Sequence, residues 1–227
     1  MRNNNRSTCT AIPLHILQHV AKHGDDDARA TVKETLIHTA RLAEDRDHAF
    51  LDTPNGVKAA PGERRRVYDA QQKRSLPGKL VMDGRSVTSK DIEALEAFDG
   101  SGAVRDFYAN AFQRDSIDGK GMALVSTIHY GKKFDNAMWD GRQMVYGDGD
   151  GKLFNRFTIA LDVIGHEETH GVTQHTAALQ YHDQPGALNE HISDAFGIMI
   201  KQYTLGQTAT QSDWLIGKGL FGPNVHG

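Results

Sequence analysis

Residues 161–175 read LDVIGHEETHGVTQH, and within them His166-Glu167-Glu168-Thr169-His170 sets two imidazoles four positions apart with a carboxylate directly after the first. On an α-helix, positions i and i+4 lie one above the other, so both rings project from one face at a separation that a tetrahedral zinc ion can bridge. Glu167 falls about 100° around the helix from His166, beside a metal rather than on it, which is the place of a base that takes a proton from a metal-activated water. The spacing fits H-E-x-x-H, a short pattern that two histidines on an ordinary surface helix can also produce. Support comes from GALNEHISDAFGIMI at 186–200, where Glu190 and Asp194 are four apart on a second helical stretch. One of them can ligate the metal while the other accepts a hydrogen bond from a ligand histidine's second ring nitrogen and so fixes its tautomer. Two histidines and one glutamate with a fourth position open is catalytic geometry, because structural zinc sites close that position with protein.

These helices need a frame. The chain has 227 residues and a formal net charge of -3 with acids and bases interspersed, enough for one sizeable domain with an appendage or two small ones. No basic field exists to attract nucleic acid or an anionic membrane, and no apolar run spans a bilayer. The opening MRNNNRSTCTAIPLHILQHV is too broken by Pro13, His15 and Gln18 for a secretory signal, so a cytoplasmic origin is expected. Cys9 is the only cysteine, which excludes an intramolecular disulfide and a cysteine-based zinc site and leaves any metal to histidine and carboxylate.

Two helical stretches occupy residues 10–48, with Ile12, Ile16, Leu17 and Val20 on the first, Val32, Leu36, Ile37 and Ala40 on the second, and Gly24 with Asp25-Asp26-Asp27 between them. Pro, Gly and clustered charge at about 52–66 mark an exposed linker. Strand pieces are expected at 66–69 and 79–82 around a Leu76-Pro77-Gly78 turn, then a helix opening at Thr88 with Asp91 three residues on, a buried strand at 122–130 and a short strand within 144–151. Asp148-Gly149-Asp150-Gly151 offers a calcium loop by composition but lacks the EF-hand ligand spacing. The helix at 186–200 carries Leu188, Ile192, Phe196 and Met199 at helical spacing, a stripe expected to pack. Together these predict an α+β fold: a helical segment at 1–60, a β-rich lobe at 61–160, and active-site helices with the start of a helical lobe at 161–227.

In FDNAMWDGRQMVYGDGDG at 134–151, DVIGHEETHGVTQHTAALQYHDQPGALNEHISDAFG at 162–197 and SDWLIGKGLFGPNVHG at 212–227, the chain resembles the thermolysin-like metallopeptidases, and within them the protealysin-like branch with a short propeptide. The resemblance implies that His166, His170 and Glu190 bind zinc, that Glu167 is the base and that Asp194 orients His166. It implies that Asn136, Ala137 and Trp139 bind substrate backbone along an edge strand and that Tyr181 reaches the developing oxyanion; on residue type alone, Trp139 and Tyr181 are core aromatics. It makes CTAIPLHILQHVAKHG a propeptide removed by self-cleavage in the linker, with Cys9 placed either to put a thiolate on the zinc or as a half-buried side chain. The implied activity is endopeptidase cleavage on the amino side of bulky apolar residues, with peptide or protein substrates, a protein inhibitor or a second copy as partners, and secretion without a signal peptide.

Two departures stand out. His226 lies too close to Pro223-Asn224 to match the family's intermediate-stabilising histidine, so the chain is expected to be a truncated, weak or inactive peptidase. A catalytically dead zinc-binding protein with a regulatory role is the alternative. Glu168, where the family carries an apolar or aromatic residue, falls in the helix stripe between Ile164 and Leu161 with Val172, so it is expected to be buried and either protonated or matched by a cation from another segment.

Overall fold

The computed structural model describes residues 11–51, 59–60, 63–223 and 225. The expectations for Cys9, for His226 and for most of the linker lie outside the described residues. Helix α1 (Leu14–His23) ends in the basic residues Lys22 and His23, a type favoured at the negative end of a helix, and α2 (Asp26–Leu51) opens on Asp26 and Asp27. Between them Asp25 accepts the Ala28 N–H at 2.8 Å, a cap that separates the two helices at the place the acidic run indicated.

Five strands form one sheet in the order β2-β1-β3-β5-β4, and helices occupy both faces, as the α+β expectation required. β1 (Arg65–Asp69) pairs antiparallel with β2 (Lys79–Asp83) and parallel with β3 (Leu124–Ile128); β3 runs parallel to β5 (Met144–Tyr146), and β4 (Ala137–Trp139) closes the far edge antiparallel to β5. The turn between β1 and β2 needs glycine at 78, where φ is +95° and a Cβ would stand 2.3 Å from the Asp69 carbonyl oxygen. Alternation along the short strands divides the interior. Ala137, Trp139, Met144 and Tyr146 face the main core with Val104, Phe157 and Ile164, while Met138 and Val145 face Leu42 of α2 with Tyr130 and Phe134.

Helix α3 (Ile92–Phe112) lies against the sheet and against α4 (Leu161–Gln174), which in turn packs along α5 (Asp183–Thr204). α3 starts at Ile92 and not at Thr88, because Asp91 is the residue whose side chain takes an orphan amide, accepting Glu93 N–H at 2.9 Å. The strand expected at 122–130 is trimmed to Leu124–Ile128: Met122 N–H turns to Asp118 at 3.1 Å, and His129 takes a positive φ of 52°.

On α5 the expected stripe packs only in part. Its buried side is made of Gly186, Asn189, Ser193, Gly197, Ile198 and Ile200, whereas Leu188 and Met199 of the expected packing stripe are exposed. The small residues allow the close approach: a Cβ at Gly197 would stand 2.4 Å from the Asp162 carbonyl oxygen of α4. Phe196 instead stacks on Tyr108 of α3 at 5.7 Å between ring centroids. Leu205, Trp214, Leu215, Ile216 and Phe221 are also exposed, so α5 and the segment after it carry uncovered apolar side chains. Sedimentation of the purified chain should therefore show concentration-dependent association that Leu188→Glu with Met199→Glu reduces; a monomer at every concentration would count against that.

Glu168 is buried as expected, 1% exposed, with Oε2 lacking a hydrogen-bond partner among the described residues. Burial pushes its carboxyl up to about 8, and the charge of Arg65 on β1 pulls the other way. Arg65 itself donates to the Phe98 carbonyl at 2.9 Å with its guanidinium over the Phe98 ring. A carboxyl that titrates higher in the folded chain than in the unfolded one contributes fully below its unfolded value, and the contribution is lost as pH rises through about 8. Glu168→Leu should raise Tm by on the order of 5–10 °C above that pH and change it little near pH 4. Parallel thermal melts at the two pH values check this, and an equal shift at both would show that burial of charge is not the cause.

Candidate metal centre

Helix α4 is held at its start by Asp162, whose carboxylate meets Lys201 of α5 at 3.0 Å and accepts Gly217 N–H at 3.1 Å. Those ties fix the rotation of α4 against α5 and aim three side chains at one point. His166 Nε2 and His170 Nε2 are 3.1 Å apart, and the two Glu190 oxygens lie 3.5 Å and 3.6 Å from them. Ligands about 2.0–2.1 Å from a tetrahedral zinc ion stand about 3.3–3.4 Å from one another, so the three donors have the separations zinc requires.

The outward ring nitrogens are held as firmly. His166 Nδ1 is 2.9 Å from Asp194 Oδ1, and His170 Nδ1 is 2.9 Å from Asn189 Oδ1 and 3.0 Å from Ser193 Oγ. Asn189 is oriented in turn by donating its amide to the Leu179 carbonyl at 3.2 Å. Asn189 and Ser193 escaped the sequence reading, although they share the four-residue spacing of Glu190 and Asp194 one position earlier on α5.

Electrostatics sort the roles. Burial lowers the His166 imidazole, but hydrogen bonds to Asp194 and Glu190 outweigh it and carry the group up to about 10. His170 falls to about 3 through burial and the charge of His166, so it is neutral with a lone pair to offer. Burial lifts Glu167 to about 7, against the pull of His166 and of the Trp139 N–H that it accepts. That last bond is 2.9 Å, from the backbone of β4 to Glu167 Oε2, while Oε1 has no hydrogen-bond partner among the described residues.

The substrate-binding candidates gather along the same edge. Asn136 and Ala137 are fully buried, and the chain's own N-terminal segment lies on them: Ala11 N–H donates to Ala137 O at 3.2 Å and Ile12 N–H to Asn136 Oδ1 at 3.4 Å. Asn136 Nδ2 also donates to Thr39 of α2 at 3.1 Å. Trp139 donates its indole N–H to Gln174 at 2.9 Å, a second partner that sequence alone did not indicate. Tyr181 packs its ring 5.5 Å from that of His170, and Arg46 of α2 lies over the other side at 3.6 Å. The calcium-loop candidate is divided: Asp150 caps the backbone N–H groups of Lys152, Leu153 and Phe154, whereas Asp148 turns to His129. Among the described residues no ligand cluster includes both.

Comparison with known proteins identifies the family. The family model of the thermolysin metallopeptidase catalytic domain matches residues 33–174, and that of the thermolysin metallopeptidase alpha-helical domain matches 177–227. The chain is 46% identical over 222 residues to an extracellular metalloprotease of Pectobacterium carotovorum subsp. carotovorum, covering 98% of this chain and 63% of that protein. It is 40% identical over 230 residues to protease PrtS of Photorhabdus sp. (strain Az29), covering 100% of this chain and 62% of that one. Among solved structures, the precursor of protealysin, a metalloproteinase from Serratia proteamaculans, superposes with a TM-score of 0.83 at 42% identity, over 96% of this chain and 63% of that one. The chain belongs to the thermolysin metallopeptidase family. It spans 63% and 62% of the length of these two relatives. The catalytic-domain match begins at residue 33, inside α2, ahead of the boundary that the linker suggested.

Zinc titration separates the side chains in this cluster. Glu190→Ala should weaken zinc binding far more than Glu167→Ala, and Asp194→Ala should weaken it by roughly 10- to 100-fold through loss of the His166 partner. Equal losses for Glu190→Ala and Glu167→Ala would remove Glu190 from the ligand set.

Proposed function

We propose that the chain is the precursor of a zinc-dependent endopeptidase of thermolysin type, cleaving on the amino side of bulky apolar residues. The observation that supports it most is the meeting of three zinc-spaced donors with a carboxylate hydrogen-bonded to the backbone of an edge strand. His166, His170 and Glu190 would hold the metal; Asp194, Asn189 and Ser193 would fix the two rings. Bound there, zinc supplies a Lewis acid that polarises a carbonyl and lowers the pKa of water.

The protein does the rest. Glu167 uses Oε2 to anchor itself on Trp139 N–H, which leaves Oε1 to take the proton from water and carry it to the departing amine. Burial raises its affinity for a proton, as suits a group that must both accept and return one. Peptide substrate would add as a strand to β4, with Ala137 O accepting a substrate N–H and Asn136 binding its backbone. Tyr181, beside His170, would donate to the developing oxyanion.

Residues 11–12 occupy that edge, and Arg46 covers Tyr181, so the segment before the linker would act as a propeptide that keeps turnover low until it leaves. The catalytically dead alternative is not favoured, since base, ligand trio and orienting groups are all assembled. Two of the relatives are named as an extracellular metalloprotease and a protease, which supports action outside the cell by a route the opening residues do not reveal.

The test is cleavage of casein and of a peptide with an apolar residue after the scissile bond, by zinc-loaded chain before and after nicking at about residues 52–66 by an active relative. Turnover should rise on nicking and fall roughly 10²- to 10⁴-fold in Glu167→Gln with zinc retained. Zinc-loaded, nicked chain without activity above that of Glu167→Gln would defeat the proposal.

A further inference from the structure

A second group of ligating side chains stands apart from the first. Asp91 caps α3, Glu93 lies in the first turn of that helix, His129 follows β3, and Asp148 follows β5. His129 Nε2 is 2.9 Å from Asp91 Oδ2, its Nδ1 is 2.8 Å from Asp148 Oδ1, and Glu93 Oε2 is 3.8 Å from the same Nδ1. Ligand atoms of Glu93, His129 and Asp148 all lie within 4.8 Å of one another, the property shared among the described residues only with the His166, His170 and Glu190 trio.

An acidic cluster alone would mean little; Glu93 adds an independent observation. The residue is 8% exposed, and its Oε2 points toward His129 with no hydrogen-bond partner among the described residues. Burying a carboxylate oxygen without a partner costs several kcal/mol unless a cation compensates it. One imidazolium faces three carboxylates here, and the nearby guanidinium of Arg156 is taken by Glu96 at 2.6 Å and 2.8 Å. In keeping with a deficit of positive charge, burial and then the charge of Asp148 drive the Glu93 carboxyl up to about 8.

The arrangement also repeats that of the first centre. There Asp194 holds the outward nitrogen of His166 while the inward nitrogen faces the ligand carboxylate. Here Asp91 holds Nε2 of His129 while Nδ1 faces Asp148 and Glu93. A carboxylate behind an imidazole and further carboxylates before it is the pattern of a metal-ligating histidine.

We propose that His129 Nδ1, Asp148 and Glu93 form a second divalent-metal site, selective for zinc or a metal of similar ligand preference, with Asp91 orienting the imidazole. An imidazole donor disfavours calcium and magnesium, which take oxygen ligands. The metal would take the place of the Nδ1 proton, and water would complete its coordination from the solvent side. It would tie the N-terminus of α3 and the ends of β3 and β5 together. The loop it holds runs along the substrate edge, with Gly147 N–H donating to Asn136 O at 3.0 Å and Gly149 N–H to Phe134 O at 3.3 Å. Its role is therefore to stiffen the strand on which the proposed peptide substrate lies.

Crystals of the unaltered chain grown with zinc, measured at the zinc absorption edge, test this directly. The expected result is an anomalous peak about 2.0–2.2 Å from His129 Nδ1 and from oxygens of Asp148 and Glu93. Equilibrium dialysis of the full chain should count two zinc ions, with one lost in Glu190→Ala and the other lost in Asp148→Asn. A single peak at His166, His170 and Glu190, with one zinc ion that Asp148→Asn leaves in place, would overturn the proposal and leave His129 as a charged cross-link. The crystal decides the matter even where Asp148→Asn fails to fold, and a missing peak at both clusters would overturn both metal assignments.

Discussion

The hydrogen bond from the Trp139 backbone to Glu167 is the joint on which the arrangement depends. It connects the edge strand of the sheet to the helix bearing both histidines, so the direction of β4 and the position of the carboxylate are set together. Were β4 to shift along β5 by one residue, Trp139 and Ala137 would leave the main core and Met138 would enter it. Strand register, core packing and the position of Glu167 are thus one constraint. Gln174, which accepts the Trp139 indole, repeats the connection about two turns further along α4 and prevents the helix from rotating away.

The second constraint is how closely α5 can approach α4. Glu190 reaches both histidines because glycine at 197 lets backbone meet backbone, and because Asn189 and Ser193 are small enough to lie in the seam while making hydrogen bonds. Polar residues in such a seam are stable only when satisfied, and here the satisfied groups are the ones that hold the His170 ring. The apolar residues of α5 therefore go elsewhere: Phe196 to the aromatic cluster of α3, Leu188 and Met199 to the surface.

This explains what was legible in the sequence. The i, i+4 pairs on α4 and α5 could be read because helical geometry fixes them locally, and Glu168 could be placed in the buried stripe for the same reason. The identity of the buried face of α5 could not, since a seam of glycine, asparagine and serine looks polar until the partner helix is known. β4 and β5 are three residues each, too short for a period to show, and only the resemblance in NAMW marked the first as an edge strand. Arg65 near Glu168, Arg46 over Tyr181 and Gln174 on Trp139 are long-range meetings that no local pattern encodes. Between Thr88 and Asp91 as the start of α3, both residue types can cap, and the choice fell to the one that also bonds His129.

The contacts of Ala11 and Ile12 with the edge strand are few, and alone they would make a feeble ligand. Their hold comes from attachment to α1 and α2, which bury Leu17, Val32 and Leu42 in the core, with exposed ion pairs from Asp27 to Lys133 and Lys152 and from Glu34 to Arg74 around them. If these residues block the edge as proposed, a continuous chain would hold them there at an effective concentration that, for a short flexible linker, is on the order of millimolar. A break in the linker would then remove that concentration while leaving the contacts themselves unaltered. Release would become a matter of dilution, more complete the larger the volume around the freed segment, without a change in any side chain at the centre.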